Sequence, residues 1–236
     1  MNVILFTEEE VQETRNVRLT GRRLLHIRDV HHAREGDELC VGMLDGKIGT
    51  GKVVHAGKHY IEFEVFLSQS PPEPCPATVV LALPRPKVLR RVLRSLAVLG
   101  IKRIVLLNAC RVEKSYWQSP FLNAAAVREQ LILGLEQSCD TVLPDVILKK
   151  RFKPFVEDEL PEMIKGSLSL VAHPGAAESC PSGIKQQVTI AVGPEGGFIP
   201  YEIEMLEQAG FRAVSLGGRV MDVPTVIPYL IGRLFG

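Results

Sequence analysis

The 236-residue chain has no apolar run near the roughly 20 residues that a membrane-crossing helix needs, which excludes that class of protein. Its first residues reach Glu8, Glu9 and Glu10 after only a few apolar positions, a pattern unlike a secretory signal. No C-x-x-C pair occurs. The five cysteines, Cys40, Cys75, Cys110, Cys139 and Cys180, are odd in number and scattered, which argues against a zinc ribbon or redox motif. They read as reduced thiols of a cytoplasmic protein. Net charge is also scarce, at +1, so any signal for a polyanionic partner must be local. Internal repeats and low-complexity tracts are missing.

Several nucleotide and catalytic signatures are absent too. No G-x-G-x-x-G follows an apolar run, so ordinary dinucleotide binding has no fingerprint. "GKIGTGKV" (46–53) resembles a phosphate loop but ends in Val53, where magnesium binding needs a hydroxyl; it reads as a glycine-rich β-turn. His26, His31 and His32 lack a carboxylate or cysteine to complete a metal set, so no metal is expected. No serine, Ser119 and Ser215 included, sits in a nucleophile elbow. A nucleotide-binding hydrolase therefore has nothing to stand on.

What is present divides at "SQSPPEPCPA" (68–77), whose four prolines fit neither a helix nor a central strand. Before it, short alternating runs joined by Asp45-Gly46 read as hairpins of a small β-barrel over 1–70. Residues 71–76 read as a linker. After it, over 77–236, strands and helices alternate. Apolar strands are expected at 77–83, 103–108, 168–173, 188–193 and 213–217, and helices at 87–100 and 122–139. That alternation predicts an α/β domain with a mostly parallel sheet, whose ligands bind beyond the carboxyl ends of strands. Three such ends carry glycine or proline: "VAHPG", "VGPEGG" and "SLGGRV". In the second, glycine admits positive φ and close approach of a ligand to the main chain, and Pro200 suits the first turn of the helix that follows.

Charge is concentrated between Arg85 and Lys114, where nine basic residues face one acid, Glu113. Lys87, Arg90, Arg91 and Arg94 fall on one side of a helix, with Leu89, Val92, Leu93 and Leu96 on the other. A solvated face usually mixes signs, so this one favours an anionic partner such as a phosphate backbone. Arg85, Lys87, Arg90, Arg91, Arg94, Arg111 and Lys114 are the expected RNA contacts. Tyr116 and Trp117 follow, placed either to stack on unpaired bases or to pack in a core.

"ALPRPKVLRRVLRSLAVLGIKRI", "LGLEQSCDTVLPDV", "VAHPG", "AVGPEGGF" and "SLGGRV" occur in this order in the RsmE family, which the chain resembles over nearly its whole length. Those proteins methylate N3 of a uridine in small-subunit ribosomal RNA. The resemblance implies a SPOUT-type α/β domain with a deep trefoil knot, an exception to the rule against knotted chains. It also implies an N-terminal PUA-like β-barrel that helps hold RNA, and a homodimer with knots packed together. S-adenosylmethionine would lie in the knot against Leu170, His173, Pro174, Gly193, Pro194, Glu195, Gly196, Gly197, Leu216, Gly217, Gly218, Arg219, Val220 and Met221. Ribosomal RNA or the small ribosomal subunit would be the partner.

One segment departs from the family, which commonly reads L-G-x-R-[IV]-L-R-x-E-T. Here Asp222, Val223 and Pro224 stand roughly where Arg and Glu are usual. With Thr225 as the N-cap, Pro228 would fall at N3, where proline is tolerated. Methyl transfer to N3 needs in-line positioning and removal of the N3 proton. Arg219, Asp222 and, in the long helix, Glu136 are the candidates to stabilise the uracil anion or take the proton. A catalytically altered RNA-binding protein of the same fold is the alternative, raised by the altered 221–225 segment.

Overall fold

The computed structural model describes residues 2–13 and 16–236; Met1, Thr14 and Arg15, which the sequence assigns to the first domain, lie outside the described residues. The chain forms two compact units. The first comprises 1–73 together with 132–143, the second 74–131 and 144–236.

The first unit holds strands β1 (Ile4–Phe6), β2 (Asn16–Leu19), β3 (Glu38–Met43), β4 (Ile48–Ala56) and β5 (Ile61–Gln69), with a short helix α1 (Gly21–His26). The sheet order is β1-β3-β4-β5-β2. In "IEFEVF" Ile61 and Phe63 are buried while Glu64 is exposed, as period-two alternation requires. Their side chains join Ile4, Phe6, Val17, Leu19, Val41 and Val53 in one core. Asp45, at φ 59°, turns the chain between β3 and β4. The glycine-rich stretch after it is strand, not turn: Gly49 and Gly51 lie within β4. Gly49 is required there because a Cβ would sit 1.9 Å from the Phe66 carbonyl oxygen, beside a register shift in the β4–β5 ladder.

Residues 132–143 join this unit through main-chain bonds, although the sequence suggested that 77–236 was one uninterrupted domain. The Glu136 carbonyl accepts the amides of Asn2 and Val3, the Thr141 carbonyl accepts the Asp45 amide, and Asp45 Oδ1 accepts the Leu143 amide at 2.8 Å.

The second unit holds β6 (Ala77–Ala82), α2 (Pro86–Val98), β7 (Arg103–Leu107), the start of α3 (Ala124–Ser138), β8 (Asp145–Lys149), α4 (Phe152–Pro154), α5 (Leu160–Met163), β9 (Leu168–Ala172), β10 (Glu178–Ser179), β11 (Val188–Val192), α6 (Pro200–Gln208), β12 (Arg212–Ser215) and α7 (Val223–Phe235). Its sheet runs β10-β12-β9-β11-β6-β7-β8, and every pairing is parallel. Each residue of β6 and β11 is buried, which is why both read as unbroken apolar runs. β6, β7 and β8 step outward in sequence order; β9, β11 and β12 fill the other side. The order turns back at the β6–β11 boundary, and the three strands with small-residue ends, β12, β9 and β11, are direct neighbours.

Edge strand β8, the helical stretch over 152–163 and the two-residue β10 were not legible in the sequence. Pro154 and Pro161 break the apolar period of the helical stretch, which a π-helical segment at Phe155–Glu159 also distorts. The N-cap of α7 differs from expectation as well. It is Asp222, whose carboxylate accepts the Thr225 amide at 3.1 Å, so Pro224 is in the first turn and Pro228 lies inside the helix. An interior proline forfeits one ladder bond. Burial of Val223, Ile227, Leu230, Ile231 and Leu234 outweighs that loss.

Candidate active site

Beyond the carboxyl ends of β9, β11 and β12 lies a cavity of about 280 Å³, close to the lower end of small-molecule pockets. Three bends wall it: Ala172 to Pro174 after β9, Val192 to Phe198 after β11, and Leu216 to Met221 after β12. Val223 and Val226 of α7 and Arg111 complete the lining.

Each bend is fixed by main-chain bonds. The His173 amide donates to the Val214 carbonyl at 3.0 Å, tying the first bend to β12. In the second, the Gly197 amide donates to the Pro194 carbonyl at 2.7 Å and Gly197 takes φ 71°. A Cβ on Gly193 would sit 2.8 Å from the Phe198 amide nitrogen, backbone that cannot yield cheaply. Gly217, at φ 108°, donates its amide to Ser215 Oγ in the third. The result is a pocket with glycine main chain at its wall, an apolar floor from Val192, Phe198 and Val223, and few charges. Glycine main chain at the wall lets a small molecule approach the backbone closely, as expected for S-adenosylmethionine. Among the described residues no group of three or more His, Cys, Asp or Glu could hold a metal.

The expected cofactor residues come together here, save two. Leu170 is wholly buried within β9, and Gly218 does not line the cavity. Of the catalytic candidates, Arg219 lines it. Asp222 does not; it caps α7, and its bond to the Thr225 amide holds its carboxyl below the usual carboxylate range, which weakens it as a base. Glu136 belongs to the first unit, 1% exposed and bonded through both oxygens to Arg22 at 2.9 and 3.0 Å. Burial pushes its carboxyl up while Arg22 pulls it down. Its surroundings are those of a structural ion pair. The 221–225 segment forms an ordinary helix start.

Lys87, Arg90, Arg91 and Arg94 line one groove on α2 with Ser95 and Gln130. Arg94 donates to Gln130 Oε1 at 3.0 Å and Arg90 lies 4.9 Å over the Phe121 ring, so two of the four are held in place. Lys114 is exposed at the start of a 3-10 turn. The Arg85 amide donates to Glu195, a pocket residue. Trp117 is half-buried and bonds Asn108 Oδ1 at 2.8 Å, a packing role rather than an open stacking platform. Arg111, expected only as an RNA contact, lies in the pocket wall, its guanidinium bonded to the Gly196 carbonyl.

An all-parallel sheet with a pocket walled by glycine bends at adjacent strand ends defines the class of α/β proteins that hold a small ligand there, and similarity to known proteins gives the class its chemistry. The family model described as RNA methyltransferase domain matches residues 71–234, and the chain belongs to that family. Within it, the chain is similar to a protein of Treponema pallidum named ribosomal RNA small subunit methyltransferase E, 30% identical over 233 residues, covering 95% of this chain and 87% of the relative. A Mycobacterium tuberculosis protein of the same name is 26% identical, over 99% of this chain and 92% of its own. Among solved structures, a putative methyltransferase of Legionella pneumophila in complex with bound S-adenosylmethionine has the same fold, with a TM-score of 0.74 at 22% identity over 98% of this chain and 95% of that one. A ribosomal RNA small subunit methyltransferase E of Neisseria gonorrhoeae bound to S-adenosylmethionine gives 0.72 at 20% identity, over 98% and 94%.

Proposed function

We propose that this protein transfers the methyl group of S-adenosylmethionine to N3 of a uridine in small-subunit ribosomal RNA. The observation that carries this reading is the meeting of three glycine- and proline-bearing bends from adjacent strands in one cavity, in a chain of the RNA methyltransferase family. When bound, the cofactor supplies an electrophilic methyl on a sulfonium sulfur. The chain's own task is positioning. The bends at 172–174, 193–198 and 216–221 exclude water from the cofactor's flanks, and the unpaired or flipped base enters at the Arg219 side. The Arg219 guanidinium stabilises the uracil anion as the N3 proton departs to solvent. The groove on α2 holds the phosphate backbone, together with Arg85 and Lys114.

The finer architecture belongs to the same proposal. The C-terminal stretch threads the bends as a trefoil knot, the five-stranded sheet of 1–73 is a PUA-like barrel that grips RNA, and two copies pack knot to knot in the cytoplasm. Among the described residues no helix is long and apolar enough to cross a membrane.

Small ribosomal subunits lacking the modification, incubated with protein and S-adenosylmethionine, should gain one N3-methyluridine by mass mapping of the RNA. Arg219→Ala should lower kcat about 100-fold, a larger loss than its effect on S-adenosylmethionine affinity. Unchanged turnover would remove Arg219 from the mechanism.

A further inference from the structure

We infer that Glu202 and Arg111 form a latch that sets the shape of the glycine loop before anything binds, making Glu202 a positioning residue and Arg111 a strut of the cofactor pocket; this rests on the cofactor reading above.

Glu202 lies in the first turn of α6, 3% exposed. Its two carboxylate oxygens go to two different segments. Oε2 accepts the Ile199 amide at 3.0 Å, closing the entry to α6 just after the glycine loop. Oε1 accepts the Cys110 amide at 2.6 Å, from a turn 92 residues away in sequence. That turn is itself closed by the Val112 amide on the Ala109 carbonyl at 3.0 Å, and Ala109 and Val112 are buried. Arg111 stands at its tip. From there its guanidinium donates to the Gly196 carbonyl, and its aliphatic stem covers Gly196, where a Cβ would meet Arg111 Cδ at 3.0 Å.

The contacts close a ring: Gly196 to Arg111, along the chain to Cys110, across Glu202 to Ile199, and back along the loop to Gly196. Glycines at 193, 196 and 197 leave this loop with little stiffness of its own. Pinning it at Gly196 and Ile199 removes conformations that the cofactor would otherwise have to select against, and affinity gains by that pre-organisation. A carboxylate suits the junction because it alone offers two acceptors and no donor. A glutamine would turn an N–H towards a backbone N–H and leave one buried donor unpaired.

Two sets of measurements test this. In the protein without cofactor, Arg111→Ala and Glu202→Gln should each speed hydrogen exchange at Gly196 to Ile199 about tenfold or more, with exchange in β6 and β11 unchanged. By calorimetry each should weaken S-adenosylmethionine binding about tenfold, and the double variant should be little worse than either single one, as for residues acting through one path. Arg111→Lys keeps an aliphatic stem and one donor for the Gly196 carbonyl, and should recover part of the affinity that Arg111→Ala loses. RNA affinity and its salt slope should stay within about twofold in all of them. The latch is overturned if loop exchange is unchanged in Arg111→Ala, or if that variant lowers the RNA salt slope and leaves cofactor affinity intact; Arg111 is then an RNA contact alone. Failure of the unaltered protein to bind S-adenosylmethionine, with the exchange result as expected, would sink the cofactor reading and leave the latch standing.

Discussion

The two sheets of this protein bury their residues by different rules. In the first unit, β4 and β5 alternate buried and exposed positions, one face to a core and one to water. In the second, β6 and β11 are buried throughout and lie mid-sheet with parallel neighbours on both sides. An antiparallel pair closes with a short turn, here residues 44–47 between β3 and β4 and 57–60 between β4 and β5, so its ends have little left over for chemistry. A parallel strand must hand the chain to a long crossover. Its carboxyl end is thus a free bend, and three such bends on adjacent strands build the pocket. The second sheet holds function because of how it is connected, and its buried centre keeps those ends rigid.

The largest test of that contrast is Gly193→Ala. A methyl group 2.8 Å from the Phe198 amide must displace backbone, so S-adenosylmethionine binding should fall at least 100-fold by calorimetry. Retained affinity would mean that the loop is more yielding than the second sheet's rigidity implies. Next is Phe63→Ala, which empties the centre of the first unit's core at a fully buried site and should cost about 3–5 kcal/mol in urea unfolding. The single tryptophan, Trp117, belongs to the second unit. Its fluorescence midpoint should therefore move less than the circular dichroism midpoint; equal shifts would show that the two units melt as one. The smallest effect is electrostatic. His26 has a buried Nε2 with no hydrogen-bond partner among the described residues, and burial holds its pKa below the ordinary 6.5, with the charges of His31 and Arg22 adding. The unfolded chain then binds the proton more readily than the folded one. Stability should be full above about pH 6.5 and decline as pH falls below it. A urea midpoint that is flat from pH 7.5 to 5.5 in the natural protein, or a slope unchanged in His26→Phe, would remove His26 as the cause.

Much of this was legible wherever hydrophobic period was clean. The strands at 77–83, 103–108, 168–173 and 188–193 and the helix at 87–100 emerged within a residue or two of where their apolar patterns end, because burial of those residues decides the structure. The glycine bends were legible for a related reason, since glycine takes positive φ at least cost and alone leaves room for a closely approaching backbone. β8 was hidden because it is an edge strand of mixed burial. Thr225 was read as the cap, which kept Pro228 in the first turn; Asp222, three residues earlier, caps the helix instead and leaves Pro224 in the first turn, where proline costs nothing. Arg111 and Glu202 were out of reach for a different cause. Their partners lie 85 and 92 residues away, and no local pattern encodes a contact at that separation. Ala172, Val192, Phe198, Val223 and Val226 of the pocket gave no signal beyond ordinary core hydrophobicity.

The helix α3 begins in one unit and finishes in the other. A growing chain that has reached only Glu73 still lacks the strip that receives the amides of Asn2 and Val3 and the guanidinium of Arg22. The first unit cannot complete itself during synthesis until Leu143 has left the ribosome, by which time β6, α2 and β7 are already out. Order of emergence and order of completion are thereby decoupled, and a proteolytic cut at the proline run would leave the first unit without its 132–143 strip, which stays on the C-terminal fragment.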